Sequence, residues 1–228
     1  MIKLEDVSKT YSLGKGNSVH AVRGVSVEIG AGEFVAIVGR SGSGKTTLLN
    51  LAAGLTRPTS GRVIFDGVEM WKLTDREQSH LRNQRIGFVF QFPSLLPTLT
   101  VLENVFLPTA FRAGSSTAGA RERARELLAS VGLSDKLSAY PRQLSAGQQQ
   151  RVVIARSLIN HPRILMADEP TSNLDERTEA EIMELFHDLH TSLGLAFVLV
   201  THTRQLVTPD MRTIEMAAGR IVNGALAA

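Results

Sequence analysis

The run Gly39-Arg40-Ser41-Gly42-Ser43-Gly44-Lys45-Thr46 constrains this chain more than any other feature. It has the spacing G-x-x-x-x-G-K-T and stands between a strand-like stretch, residues 33–38, apolar without a break after Glu33, and a helix-like stretch, residues 46–53. A continuous apolar run of that length marks a strand buried on both faces, so the pattern reads strand, glycine-rich turn, helix. Glycines let the backbone wrap closely around a ligand. Successive N–H groups then point at phosphate oxygens, and the helix N-terminus adds the positive end of its dipole. Lys45 supplies a point charge for β and γ phosphates, Thr46 a hydroxyl suited to Mg²⁺, and Thr47 a further donor. A merely flexible glycine turn is the bland alternative, but the flanking strand and helix supply the context that nucleotide binding requires.

At 228 residues the chain holds one sizeable core, or a core with a small lobe, so one nucleotide-binding unit is the ceiling. No apolar run reaches the roughly 20 residues that cross a bilayer, and any role at a membrane therefore needs a separate partner. The start, Met1-Ile2-Lys3-Leu4-Glu5-Asp6, is charged and strand-like where a secretory signal shows a basic start, an apolar stretch and a small-residue cleavage site. The absence of cysteine excludes disulfides, thiolate metal sites and a thiol nucleophile, and fits a reducing, cytosolic location. A net charge of +3 discriminates little, because an anionic membrane, a phosphate ligand, nucleic acid or an ordinary solvated surface all suit it.

Apolar runs bounded by Gly, Asp or Asn alternate with helix-like segments, the pattern of an α/β protein. Strands are expected at residues 2–7, 21–29, 33–38 and 61–65, the last entering a tight turn at Asp66-Gly67, and again at 86–90, 164–167 and 196–200. Residues 212–222 read as closing strands, with nothing after them for an appended domain. Helices are expected at 46–53 and 176–190, and residues 99–131 turn helical, with Leu127, Leu128 and Val131 on one face of the charged run 121–128. The expected organisation is a single domain, 1–228, whose core is built from 1–90 and 160–228 and whose helical lobe spans about 91–159.

Downstream, Ile164-Leu165-Met166-Ala167-Asp168-Glu169 is an apolar strand ending in two carboxylates. A strand end beside a phosphate loop is where a metal-coordinating acid belongs. Asp168 is therefore assigned to the Mg²⁺ shell, and Glu169 to accepting a proton from, or orienting, the water that attacks the γ phosphate. Paired acids at a strand end are commonly surface charge, and it is the upstream loop that favours function here. His202 directly follows the apolar strand 196–200 and is expected near the γ phosphate as a hydrogen-bonding group, whereas His20, His80, His161, His187 and His190 carry no assignment. Ser145 is a good N-cap for a helix running to about residue 158, with Gly147 and Gln148 expected to leave its first turn accessible to an anion. The alternative is a capped amphipathic helix that only packs. After the probable strand 86–90, the run Phe92-Pro93-Ser94-Leu95-Leu96-Pro97-Thr98-Leu99 is apolar for a loop, and either tucks into the core or offers a docking groove.

Phosphate loops serve many unrelated kinases, GTPases and motors, so these features alone define only an NTPase. The run Leu144-Ser145-Ala146-Gly147-Gln148, continuing as Gln149-Gln150-Arg151-Val152-Val153-Ile154-Ala155-Arg156, resembles the LSGGQ signature of ABC ATPases and the helix behind it. The remaining pattern of that family follows in order. Tyr11 resembles the aromatic that stacks on adenine, Gln91 the Q-loop glutamine, Ser172-Asn173-Leu174-Asp175 the D-loop, and His202 the switch histidine. The resemblance implies an α/β phosphate-loop NTPase fold of the ABC ATPase type, with a RecA-like mixed-sheet core, an antiparallel β subdomain and a helical lobe. It implies ATP and Mg²⁺ as ligands, with Gln91 joining Thr46 and Asp168 at the metal or the attacking water.

It also implies a head-to-tail homodimer, in which Ser145, Gly147, Gln148 and Asp175 of one copy reach the nucleotide held by the phosphate loop of the other. Membrane-spanning permease subunits are then expected to dock near residues 92–99 at the cytoplasmic face of the cell membrane, with no nucleic acid involved. Two positions depart from the pattern: Ala146 stands where glycine is usual, and Thr203 where an aspartate usually follows the histidine. The negative φ of a helix start tolerates the methyl of Ala146. Residues 91–108 and the stretch before Val19-His20-Ala21-Val22-Arg23-Gly24 resemble the subgroup that includes lipoprotein-releasing, macrolide and peptide export, and haem export ATPases. A transport ATPase for export or lipoprotein release is the expected function. A non-transport ABC ATPase of cell-division or signalling type would share every nucleotide motif. A DNA-repair or translation machine would need a long coiled-coil insertion or tandem ATPase domains, for which 228 residues leave no room.

Overall fold

The strand ending at Val38 is the element around which the phosphate loop is organised, and its burial is complete: all five residues of β3 (Phe34–Val38) are inaccessible to solvent. The computed structural model describes residues 1–14, 17–111 and 117–223. In chain order the other strands are β1 (Ile2–Gly14), β2 (Asn17–Ile29), β4 (Ser60–Phe65), β5 (Val68–Glu69), β6 (Ile86–Val89), β7 (Ile164–Asp168), β8 (Ala196–Thr201), β9 (Arg212–Ala217) and β10 (Arg220–Asn223). The helices are α1 (Lys45–Ala52), α2 (Asp75–Arg85), α3 (Val101–Phe106), α4 (Thr117–Ser130), α5 (Ala146–Leu158) and α6 (Glu176–Leu193). Two compact units emerge, one formed by Met1–Ser79 with Ala196–Ala228, the other by His80–Leu195. Among the described residues no helix is long and apolar enough to cross a membrane.

In the first unit an antiparallel sheet runs in the order β2-β1-β4-β5. A second sheet runs β10-β9-β3-β8, with β3 parallel to both neighbours. Near-continuous apolar sequence in β3 and β8 is what a strand covered on both faces needs. Glu33 locks their starting edge. Its carbonyl oxygen accepts from Phe197 N at 2.8 Å, and its carboxylate accepts from Gly30 N at 2.8 Å and from the guanidinium of Arg212 at the head of β9. The rings of Phe34 and Phe197 meet at 4.7 Å between centroids. Full burial of an aromatic side chain such as Phe197 contributes about 1.5–3 kcal/mol, so this contact anchors the β3–β8 register.

In the second unit β6 and β7 pair in parallel, Ile86 with Ile164 through Val89 with Ala167. The helical part is held by buried Val101, Val105, Leu128, Val152 and Ile154. Helix α3 begins with a capping box in which Thr100 and Glu103 exchange hydrogen bonds.

Several elements differ from the sequence expectation. β1 and β2 run well beyond residues 2–7 and 21–29, forming a long hairpin whose outer half is exposed. Exposed strand residues need no apolar alternation, so the pattern gave no sign of them. The closing strands resolve into β9 and β10 around a turn at Ala218 and Gly219, both with positive φ. Helix α2 stands where no element was expected. The helical stretch 99–131 contains α3, a 3-10 segment at Leu107–Phe111 and α4, and its residues 112–116 lie outside the described set.

Candidate functional site

In the first unit β9, β3 and β8 run the same way, so their carboxyl ends open on one edge. Ligands of open α/β sheets bind at that edge because the turns leaving the strands converge there. Residues of all three turns line one cleft of about 760 Å³: Gly39 to Ser43 after β3, His202 to Gln205 after β8, and Ala218 after β9. The expectation that His202 lies at the phosphate loop is met within this unit, and its side chain is exposed toward the cleft.

The loop is built for close approach. Gly44 is the N-cap of α1 at φ 102°, and a Cβ there would overlap the carbonyl oxygen of Ala21, so only glycine fits. Being glycine, it gives no side-chain cap to the first N–H groups of the helix. The buried Oγ of Ser43 has no hydrogen-bond partner among the described residues. Such orphans are rare in folded proteins, and this one is sealed beneath the loop rather than open to the cleft. Lys45 is buried, and its Nζ donates to the carbonyls of Gly39 at 2.9 Å and Arg40 at 3.2 Å. Arg40, Ser41, Gly42 and Thr46 are exposed, and Thr47 is half-buried.

Tyr11 lies on β1 rather than in a loop. It is 39% exposed, with Lys9 Nζ 5.1 Å from its ring centroid, and it does not line the cleft. The glycine-rich stretch after it includes residues 15 and 16, outside the described set.

In the second unit, parallel register sets Val89 beside Ala167, so Gln91 and Glu169 each stand two residues past a paired position. Asp168 closes β7 and is buried. Glu169 adopts φ 44°, a left-handed conformation unusual for a non-glycine residue. The Gln91 amide donates to Ser172 Oγ at 3.3 Å, linking the turn after β6 to the Ser172–Asp175 turn. That turn is held by Ser172 N to Glu169 O at 3.3 Å and Leu174 N to Thr171 O at 3.0 Å. Buried Thr171 donates to Glu179 of α6 at 2.7 Å.

Asp175 is the N-cap of α6, accepting from Thr178 N at 3.0 Å and Thr178 Oγ1 at 2.8 Å. Those bonds, the backbone one foremost, hold its carboxyl below the usual carboxylate range. Ser145 caps α5 as expected, in a capping box where Ser145 N donates to Gln148 Oε1 at 3.0 Å and Gln148 N to Ser145 Oγ at 3.3 Å. The first turn of α6 carries Glu176 and Glu179, whereas that of α5 carries no acid, so the α5 end keeps its positive dipole uncompensated. The expected accessibility of that turn holds for Ser145 and Ala146 but not for Gly147, which is buried against α6.

The run 92–99 does not tuck into the core: Phe92 is 63% exposed and Leu96 is also exposed. Its backbone polarity is satisfied from below. Buried Asn104 accepts from Leu96 N at 2.8 Å and donates to the carbonyls of Leu96, Leu99 and Thr100, and Arg156 donates to Ser94 O at 2.6 Å. With its main chain so pinned, the loop can present apolar side chains outward. Nearby, Phe88, Phe90, Pro108, Phe111 and Arg156 line a groove of about 300 Å³. Sequence reasoning missed Asn104, although a single amide inside the apolar run Val101-Leu102-Glu103-Asn104-Val105 was a signal that it satisfies backbone.

Fold and site together define a phosphate-loop α/β NTPase with a signature helix. The family model described as "ABC transporter" matches residues 22–172. The chain belongs to the ABC transporter family and is an ATP-binding, ATP-hydrolysing subunit of it. It is 47% identical over 221 residues to the lipoprotein-releasing system ATP-binding protein LolD of Bacteroides thetaiotaomicron, covering 97% of this chain and 99% of that protein. It is 46% identical over 222 residues to the macrolide export ATP-binding/permease protein MacB of Syntrophobacter fumaroxidans, covering 97% of this chain but 31% of the longer relative. Among solved structures, the dimeric ATP-binding cassette MJ0796 in a post-hydrolysis state bound to ADP and Pi superposes with a TM-score of 0.88. That structure is 42% identical, with 98% of this chain and 97% of that chain covered.

Proposed function

We propose that this chain is the ATPase of a lipoprotein-releasing or exporting complex, working as a homodimer beneath separate membrane-spanning subunits at the cytoplasmic face of the membrane. The observation that carries the reading is its full-length likeness to LolD proteins, 43–47% identical across three further relatives that span nearly their whole length. The dimeric cassettes at 42% identity support two copies sharing the work.

In this reading the loop Gly39, Arg40, Ser41, Gly42, Ser43, Gly44, Lys45, Thr46 and Thr47 receives the phosphates of ATP, and the uncapped start of α1 supplies main-chain donors. Tyr11 stacks on the adenine. Mg²⁺ fits the oxygen donors Thr46, Gln91 and Asp168. That ion would neutralise charge on the phosphates. Glu169 orients the attacking water and accepts its proton, and His202 hydrogen-bonds the γ phosphate as charge develops. From the second copy, the uncompensated end of α5, with Ser145, Gly147 and Gln148, and the Asp175 turn complete the site, so that hydrolysis requires the pair.

The apolar run 92–99 and the adjoining groove receive a cytoplasmic segment of the permease, and Gln91, joined to Ser172, reports nucleotide state to that face. The test is affinity purification of the tagged chain from membranes. An integral-membrane subunit with an extracytoplasmic domain is expected to co-purify, and its identity reads out the cargo. A chain recovered without any integral-membrane partner would refute the transport reading and favour a non-transport ATPase.

A further inference from the structure

The signature glycine at 147 is buried, and the atom standing where its side chain would begin is one methyl group. A Cβ built on Gly147 would overlap Thr178 Cγ2, while the next atoms, Thr178 Cβ and Oγ1, stand clear at 3.8 and 3.9 Å. That methyl cannot swing aside cheaply. Thr178 is β-branched, with a stiff χ1. Its rotamer is further held by the bond from its Oγ1 to Asp175 Oδ2 at 2.8 Å, and that carboxylate is itself fixed by accepting from Thr178 N at 3.0 Å. With the hydroxyl turned to Asp175, the methyl faces α5.

Gly147 sits at the second position of α5 and Thr178 at the third of α6, so the contact joins the first turns of two helices. One turn along, Arg151 of α5 pairs with Glu181 of α6 at 3.2 Å. A partly exposed ion pair contributes little to holding the helices together, whereas the glycine–methyl contact leaves no room between their first turns.

We propose that Gly147 and Thr178 are a positioning pair whose close fit fixes the signature turn against the Asp175 cap, so that Ser145 and Asp175 are presented to the nucleotide as one edge. This rests on the reading above that both turns serve a nucleotide held by a second copy. It assigns Gly147 a steric reason to be glycine, distinct from any phosphate contact of its backbone. A side chain at 147 must either push α5 away from α6 or unseat Thr178 from Asp175, and each alters the edge.

The test compares the full chain with Gly147→Ala, Thr178→Ser and the double variant, measuring ATP turnover, KM and melting temperature. Serine removes the methyl and keeps the hydroxyl that binds Asp175. Gly147→Ala should lower kcat about tenfold to a hundredfold, as displacements near 1 Å do, with KM within about threefold because the first nucleotide contacts lie on the other copy's loop. Adding Thr178→Ser should raise kcat at least about fivefold above Gly147→Ala, the non-additivity expected of residues in contact.

Melting gives an independent sign. Alanine is the better helix former, so an unobstructed Gly147→Ala would melt higher than the parent. Steric overlap predicts a lower melting temperature that Thr178→Ser restores. A double variant no better than Gly147→Ala, a Gly147→Ala that melts higher, or a Thr178→Ser as impaired as Gly147→Ala would each overturn the proposal. Recovery of melting temperature in a chain whose parent hydrolyses no ATP would instead retain the contact and overturn the parent reading.

Discussion

The ammonium of Lys45 lies 2.9 Å from the carbonyl oxygen of Gly39, so the cation of the phosphate loop also closes the loop on itself. Under the proposed function Lys45 has two duties, a charge for β and γ phosphates and the observed tie across the turn. Lys45→Ala removes both, and tight ATP binding should be lost, a drop of at least about a hundredfold for a charge-assisted contact worth about 3 kcal/mol. Titration with a fluorescent ATP analogue checks this, and an unchanged affinity would contradict the assignment of the loop.

Glu169→Gln keeps the shape of the side chain and its unusual backbone but cannot accept a proton. It should bind ATP normally and turn over at least about a hundredfold more slowly, as loss of a general base does. The stalled pair should then elute as a dimer in size-exclusion chromatography with ATP. Near-normal turnover would remove Glu169 from its role.

Ser145 tests the shared site. Ser145→Arg places a long cation on the exposed first turn of α5, and should suppress hydrolysis while leaving ATP affinity of the isolated chain unaltered. Ser145→Ala loses the bond that its hydroxyl accepts from Gln148 N, keeps the one its main-chain N–H donates to Gln148 Oε1, and should cost about 1 kcal/mol of stability, read as a lower melting temperature. A single copy that hydrolyses ATP at full rate, shown by turnover that does not depend on protein concentration, would refute the two-copy site.

Asp175 gives a pH dependence with a definite sign. Its carboxyl is held below the ordinary carboxylate range by hydrogen bonds it accepts from Thr178. A depressed carboxyl stabilises the fold in full above its unfolded pKa, about 3.9, and the contribution fades as pH falls through the lower folded value. The melting-temperature gap between parent and Asp175→Ala should thus be full at neutral pH and close in acid. A gap that stays constant through the acid range would show that charge plays no part in the cap.

Much of this molecule is legible in its sequence, and the illegible parts share a cause. β3, β7 and β8 announce themselves because a strand covered on both faces is apolar throughout. The phosphate loop and the Ser145 cap are equally plain, since each depends on residue types at fixed local spacing. Helix α2 left no apolar stripe, for Gln78 is its only buried residue. Its signal was the box at Thr74 and Glu77, whose groups bond at 2.7–3.4 Å, with arginines at its far end. The outer half of the β1–β2 hairpin is exposed and polar, so periodicity says nothing there. Burial of Gly147 was hidden for another reason: a residue with no side chain carries no pattern, and the methyl that covers it is 31 positions away.

The φ of 44° at Glu169 implies that the residue assigned to the chemistry weakens the protein that carries it. A left-handed side-chain-bearing residue costs about 1–2 kcal/mol, and glycine there would recover that, less about 0.4–1 kcal/mol for a floppier unfolded chain. Against Glu169→Ala, which loses the same side chain and keeps the strained backbone, Glu169→Gly should melt higher, and neither variant should turn over ATP. Stability selection alone would thus steer this position toward glycine, and a carboxylate persists there only where turnover is under demand.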